Sequence, residues 1–298
     1  MEEAPMQLNQ RQVEDFDRDG YLLLPRLFSV AEVAALRADA NRLSSLDTDG
    51  VQRERSGAVH SILHAHEIDG ATRSASLRAL TRTPRLIEPV IQLLGDSRVY
   101  IHHSRIDFKS AFEGRTRSWH QDFGTWRREG MPAAHPISVM LLLDDAEEIA
   151  GAMYAVPGSH RHGEVIHRKE RGAGFHNPLS VERRQLTRLL EVRKPVPVLG
   201  PAGSVVLYHC NLIHGSGHNM SARDRRQIHI VYNPVANQPV RVEKARAGSD
   251  ASRSQAPIAM GRDEDILTAV EGRAGALAHP LWPAMSIDDN TRDGALYH

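Results

Sequence analysis

The chain has 298 residues, 41% hydrophobic and 25% charged, a balance typical of folded globular proteins and unlike that of disordered ones. Lysine and arginine total 37, as do aspartate and glutamate, so no net field favours nucleic acid or an anionic membrane surface as a partner. The one cysteine, Cys210, excludes an intramolecular disulfide framework and thiolate-rich metal sites, and no apolar run reaches the roughly 18 residues that span a bilayer.

In chain order, Asn9–Asp19 reads as a short amphipathic helix stopped by Gly20, and Tyr21–Leu24 as a short apolar strand before Pro25. Ser29 and Glu32 form a capping-box pattern that opens a helix running to about Leu46. Residues 47–60 are polar and read as loop. Leu77–Leu94 has helical spacing, restarts at Pro84 and stops at Gly95. After Ser97 the texture changes to short strands at Val99–Lys109, Ile137–Leu143, Ala152–Val156, Ser204–Tyr208 and Ile228–Tyr232. A helix is predicted at about 180–193, irregular chain over 234–262 and a last helix near 263–271. The pattern predicts a single α+β domain over 1–298: a helical part to about 96, a strand-rich sandwich or barrel over about 97–235, and C-terminal loops and a helix over 236–298. The N-terminus has neither the basic start nor the apolar stretch of a signal peptide, so the cytoplasm is the expected compartment.

There are 17 histidines. His120 and Asp122 stand two apart, which in an extended segment puts an imidazole and a carboxylate on one face. His214 follows 92 residues after Asp122. Two histidines and one carboxylate are the donor set of the facial triad of non-haem iron(II) oxygenases, which leaves metal positions open for a co-substrate and O₂. A His-x-Asp alone is a weak signal. His209, His218 and His229 lie near His214, and His160-Arg161-His162 offers a rival imidazole pair. Arg225, eleven residues beyond His214, is a guanidinium suited to clamping a carboxylate, although Arg223 and Arg226 flank it.

These residues resemble the phytanoyl-CoA dioxygenase superfamily and, within it, the ectoine hydroxylase group. The likeness is carried by Trp119-His120-Gln121-Asp122-Phe123-Gly124-Thr125-Trp126 with Glu129-Gly130-Met131-Pro132. Val156-Pro157-Gly158-Ser159-His160, His214-Gly215-Ser216 and Tyr100–Arg105 add to it. The resemblance implies a double-stranded β-helix (jelly-roll, cupin-like) core with surrounding helices, iron(II), 2-oxoglutarate and O₂, and release of succinate and CO₂. It implies His120, Asp122 and His214 as iron ligands, with Arg225 and Ser216 on the distal carboxylate of 2-oxoglutarate. Lys109 and Ser138 match as well, and Asp107 and Arg117 fall near the co-substrate. Trp126, His103, Arg105, Met140, Tyr208 and His229 fall on the substrate side.

Several positions depart from the ectoine hydroxylase pattern. His103 stands for a glutamine, Asp107 for an asparagine, Arg117 for a phenylalanine, Gly124 for a glutamate, Met140 for a serine, and Tyr208 and His229 for phenylalanines. Such changes redirect polar recognition. The expectation is therefore hydroxylation of an aliphatic C–H in a small polar molecule, such as a free amino acid or a related biosynthetic intermediate. Ectoine itself, a catalytically silent metal- or ligand-binding relative, and a zinc hydrolase are the alternatives. Asp122 argues against halogenation, which needs that ligand position for chloride. Loops around 161–180 and 236–262 are expected to help close the site. The partner is a small molecule, with no nucleic acid and no membrane, and a homodimer is compatible.

Overall fold

In the computed structural model, residues 6–169, 179–240 and 252–269 are described. The chain opens with α1 (Gln10–Asp19), capped by Asn9 and Gln12 in a reciprocal box and ended by Gly20 at φ 80°. There follow β1 (Tyr21–Leu24), α2 (Val30–Ser44), β2 (Val51–Arg53), β3 (Val59–Leu63), α3 (Ala75–Leu80) and α4 (Pro84–Leu94). The expected capping box opens α2: Ser29 accepts from the Glu32 amide while Glu32 accepts from the Ser29 amide. The strand-rich part contains β4 (Val99–Lys109), β5 (Arg117–His120), the short α5 (Phe123–Trp126), β6 (Ile137–Leu142) and β7 (Met153–Ala155). It continues through β8 (His167–Lys169), β9 (Leu179–Val181), α6 (Arg183–Val192), β10 (Val196–Pro197), β11 (Val205–His209), β12 (His214–Ser216) and β13 (Arg225–Pro234).

The strands form a seven-stranded sheet in the order β1-β11-β6-β13-β4-β3-β2, a four-stranded sheet in the order β10-β7-β12-β5, and the hairpin β8-β9. Every pairing in them is antiparallel. The two larger sheets face each other: Ser138 on β6 reaches Asp122, Lys109 on β4 reaches Ser216, and the Tyr208 ring on β11 meets His214. This is the predicted double-stranded β-helix.

The outer face of the large sheet is covered by helices. Phe16, Leu36, Leu43, Leu80, Leu86 and Val90 pack with Ile106, Ile228, Ile230 and Tyr232 in one buried cluster. Each such side chain contributes about 1.5–3 kcal/mol through apolar burial. A bulge in β4 sets which of its residues face inward. His103 pairs with Val231 and Ile101 with Tyr232, leaving His102 as an extra residue. The parity therefore switches: Val99, Ile101 and Ile106 all meet the helices, while Arg105, Asp107 and Lys109 fall on the inner face.

Some expected boundaries require correction. The N-terminal part to about 96 is not purely helical, because β1, β2 and β3 join the large sheet. Residues 47–60, read as loop, contain β2 and the start of β3. Both strands are short, β2 lies at the sheet edge, and Ser61 on β3 turns its hydroxyl inward to Asp107. The predicted 180–193 helix begins only at Arg183, because 179–181 belongs to β9. Of the helix expected near 263–271, residues 265–269 are helical, and the remainder of the chain lies outside the described residues.

Candidate metal centre

The large sheet presents an alternating ladder on its inner face. Arg225 pairs with Lys109, Gln227 with Asp107 and Leu142, His229 with Arg105 and Met140, and Val231 with His103 and Ser138. The small sheet closes over this ladder with β5 and β12, where His120 and His214 are register partners. Their ring centroids lie 4.2 Å apart.

The chain turns at Asp122. The extended-strand expectation for His120 and Asp122 does not hold, because β5 ends at His120 and Asp122 has helical backbone angles (φ −60°, ψ −41°) at the start of α5. The carboxylate nevertheless turns back toward the imidazoles. Asp122 Oδ1 lies 3.5 Å from His120 Nε2 and 3.8 Å from His214 Nε2. Each histidine donates Nδ1–H to a carbonyl two residues earlier, His120 to Ser118 at 2.8 Å and His214 to Leu212 at 3.0 Å. That bond selects the tautomer with an acceptor lone pair on Nε2, directed at the common point. Asp122 Oδ2 accepts from Ser138 Oγ at 3.0 Å, which leaves Oδ1 for the centre.

The electrostatics suit a cation. Burial and neighbouring His120 push His214 down to about 4, so the ring is neutral at pH 7. Burial opposes ionisation of Asp122, but His214 and His120 beside it hold its carboxyl well below the usual carboxylate range. Two imidazoles and an ionised carboxylate, with one donor atom from each within 4.8 Å of the others, fit a divalent first-row metal with open positions. Among the described residues this is the one histidine, cysteine and carboxylate group of that compactness. The rival His160 is tied elsewhere, with Nε2 3.2 Å from the Asp17 carbonyl and its ring against His209.

Of the three arginines at the start of β13, only Arg225 points inward. Arg226 is on the opposite face in a bidentate pair with Asp144, and exposed Arg223 reaches Glu147 at 3.4 Å. Arg225 is buried and donates Nη1–H to Gln227 Oε1, while its Nε–H has no hydrogen-bond partner in the structure. Beside it, Lys109 Nζ donates to Ser216 Oγ at 2.8 Å and to the Gly217 carbonyl. Burial, with Arg225 and Arg117 nearby, lowers the Lys109 ammonium to about 6.

Gln227 fixes the next group. Its oxygen faces Arg225, so its amide nitrogen faces His229 Nε2 at 2.5 Å, making that ring nitrogen the acceptor. His229 Nδ1–H then donates to the Tyr208 hydroxyl at 3.2 Å. Burial lowers His229 to about 3, consistent with a neutral ring. Asp107 accepts from Ser61 at 3.1 Å, pairs with Arg105 Nε at 3.0 Å and lies 3.3 Å from His229 Nε2. Asp107 therefore pairs with Arg105, and the structure gives no such pair with Arg117.

Trp126 is buried with Phe123, Met131, Cys210 and Val231, edge-on to His102 at 5.4 Å and to His103 at 5.9 Å. Met140 is buried between Val206 and His229 on adjacent strands.

Three contributors fall within the motifs read from the sequence and are given no role there. Buried Gln121 donates to the carbonyls of Gly163 and Asn211 and accepts from the Val165 amide, joining three loops behind the metal ligands. Gly215 brings β12 within 2.9 Å of the Arg117 carbonyl, measured from where a Cβ would sit. Gly124 leaves room for the His167 ring, which a Cβ would meet at 2.6 Å, so no glutamate fits there while His167 holds this place. Of the expected closing loops, residues 170–178 and 241–251 lie outside the described residues. Ser252 and Ile258 are tied by backbone bonds to His102 and Val99 on β4.

Comparison with known proteins places this geometry. The profile of the phytanoyl-CoA dioxygenase family (PhyH) matches residues 16–227. The ectoine dioxygenase of Bordetella bronchiseptica is 39% identical over 248 residues, covering 77% of each chain. The L-proline trans-4-hydroxylase of Streptomyces griseoviridis is 31% identical over 258 residues, covering 82% of this chain and 92% of that one. The crystal structure of EctD from S. alaskensis with 2-oxoglutarate and 5-hydroxyectoine superposes with a TM-score of 0.72 at 32% identity, covering 88% of this chain and 90% of that chain.

Proposed function

Since the chain belongs to the phytanoyl-CoA dioxygenase family, we propose that it is an iron(II)- and 2-oxoglutarate-dependent hydroxylase acting on an aliphatic C–H of a small polar molecule, an amino acid or a related intermediate. The observation that carries this reading is the pair of Nε2 atoms on His120 and His214 converging with Asp122 Oδ1, each orienting bond already made. When bound, iron and 2-oxoglutarate supply the oxidising chemistry, consuming O₂ and releasing succinate and CO₂ as C–H becomes C–OH.

The protein's own residues bind and orient. His120, Asp122 and His214 would hold the metal on one face, leaving the opposite side to ligands. Arg225, Ser216 and Lys109 form the cationic, hydrogen-bonding end that would take the distal carboxylate of 2-oxoglutarate. Arrival of a carboxylate gives Arg225 Nε a partner and recharges Lys109, whose ammonium burial disfavours. The chain from Arg225 through Gln227 and His229 to Tyr208 holds the inner face of the large sheet in one hydrogen-bonding direction. Trp126, Met140 and the neutral imidazoles of His103 and His229 line the substrate side and exclude water from the reacting C–H.

Among the described residues no helix is long and apolar enough to cross a membrane, and cytoplasmic residence, action without nucleic acid or membrane, and a possible homodimer belong to this proposal. The test is succinate formation from 2-oxoglutarate under air with iron(II), across free amino acids and ectoine. Substrate-stimulated succinate with a matching hydroxylated product supports the reading; zinc-dependent hydrolysis, or tight binding without succinate, would replace it. Ectoine is the second reading, favoured by the 39% identity to an ectoine dioxygenase. It is disfavoured by the imidazoles of His103 and His229, which stand where the ectoine hydroxylase pattern has a glutamine and a phenylalanine.

A further inference from the structure

Arg117 reaches the interior only because β5 is irregular. His214 pairs with His120, and Ser216 pairs with Arg117, so two steps on β12 match three on β5. In a regular strand, residues three apart point to opposite faces. The extra residue restores Arg117 to the face of His120, a bulge that re-aims a side chain into the site.

There burial, and then neighbouring Arg105, disfavour its charge, while Asp107 and Asp122 favour it. Among the described residues it makes no side-chain hydrogen bond or ion pair. Both neighbouring carboxylates are already engaged. Asp107 accepts from Ser61 and pairs with Arg105, and Asp122 accepts from Ser138 and faces the two histidines. Further along the inner face, Arg225 is the register partner of Lys109, whose Nζ donates to Ser216 Oγ. The guanidiniums of Arg105, Arg117 and Arg225 thus outnumber the two internal carboxylates, and His103 and His229 add no negative charge. A guanidinium on the inner face of β5, with the neighbouring acids taken, calls for a carboxylate from outside.

Resting on the reading above, we propose that Arg117, with Arg105 beside it, is the receptor for a carboxylate on the substrate, so that the molecule hydroxylated is a carboxylic acid or amino acid. This departs from the sequence expectation, which grouped Arg117 with the co-substrate residues. It makes Arg117 a specificity determinant that discriminates an acid from its amide.

The probe is acetate against acetamide, added to anaerobic iron(II) enzyme saturated with 2-oxoglutarate and followed by visible absorption and thermal shift. Acetate should perturb the band and raise the melting temperature of the wild type, and acetamide at equal concentration should not. In R117Q the acetate response should weaken by on the order of tenfold or more, as loss of a charge-assisted pair requires, with R117K intermediate and 2-oxoglutarate binding retained. Indistinguishable acetate and acetamide in the wild type would overturn the proposal, as would an undiminished acetate response in R117Q. Loss of 2-oxoglutarate binding in R117Q, with no acetate response in the wild type, would assign Arg117 to the co-substrate instead. Absence of any 2-oxoglutarate band in the wild type would remove the underlying oxygenase reading, a result distinct from each of these.

Discussion

His120 and His214 each give Nδ1–H to a carbonyl two residues back, and Asp122 receives the Ser138 hydroxyl, so every metal-facing atom is oriented by a bond on its far side. Ser138→Ala removes one of these bonds without opening a large cavity. It should weaken iron(II) binding by roughly 10–100-fold, the usual effect of deleting a group that orients a ligand, which competition with a chromogenic chelator will measure. Arg225→Ala should raise the 2-oxoglutarate dissociation constant at least tenfold by removing the proposed charge-assisted clamp, with iron(II) binding little changed. Titrating each ligand separately resolves the two effects. At this scale the sequence is informative about identity and less so about arrangement. His120, Asp122, His214 and Arg225 are legible because each lies in a recurring motif or at a telling spacing. The turn of the chain at Asp122 is not, because alternation in an extended strand predicts the same convergence for a different reason. Gln227 is not legible either, since its role depends on which amide end meets Arg225.

At the scale of elements, the small sheet does the positioning although its strands have only two to four residues. β12 must lie close against β5 to pair the two histidines, and Gly215 permits it. Gly215→Ala places a Cβ 2.9 Å from the Arg117 carbonyl and 3.3 Å from the Trp119 amide. Backbone cannot yield as a side chain does, so the strands should part and iron(II) affinity fall at least tenfold, while far-ultraviolet circular dichroism stays near that of the wild type. Gln121→Ala should cost about 2–4 kcal/mol in denaturant unfolding, because the Gly163 and Asn211 carbonyls and the Val165 amide lose their buried partner. A loss below about 1 kcal/mol would show that water replaces the amide. The long apolar strands β4, β6, β11 and β13 are legible from hydropathy. β5, β10 and β12 are too short to carry a period, and β2 and β3 are too polar to separate from loop. Both bulges escape a sequence reading, because an inserted residue shows only against its partner strand. Yet the bulge at His102 sets the inward row of β4, and the one in β5 admits Arg117.

For the molecule as a whole, buried imidazoles set the response to pH. His66 and His229 are lowered to about 3, and His102, His167, His209 and His214 to about 4, in each case chiefly by burial. Unfolded, these rings titrate near 6.5. As pH falls below 6.5 the unfolded chain takes up protons that the folded chain refuses, so stability present above 6.5 is lost progressively toward about pH 4. Urea unfolding of the metal-free protein should show lower stability at pH 5.0 than at pH 7.5, by on the order of a few kcal/mol. Equal stabilities would mean that the rings are hydrated or paired. Lys109 works in the same sense over a higher window, since its folded ammonium is lowered to about 6 by burial and by Arg225 and Arg117, against about 10.4 unfolded. A bound carboxylate should recharge it, so 2-oxoglutarate binding should take up a proton near pH 7.5. Calorimetry in two buffers of different ionisation enthalpy will count that proton.

The central claim is that His120, Asp122 and His214 hold iron(II) with 2-oxoglutarate chelated beside Arg225. The direct measurement is an anaerobic titration of metal-free protein with iron(II) and 2-oxoglutarate, followed by visible absorption alongside His120→Ala. The account predicts a weak metal-to-ligand charge-transfer band in the wild type and none in the variant. Folded wild-type protein without that band, or a variant that keeps it, would contradict the account.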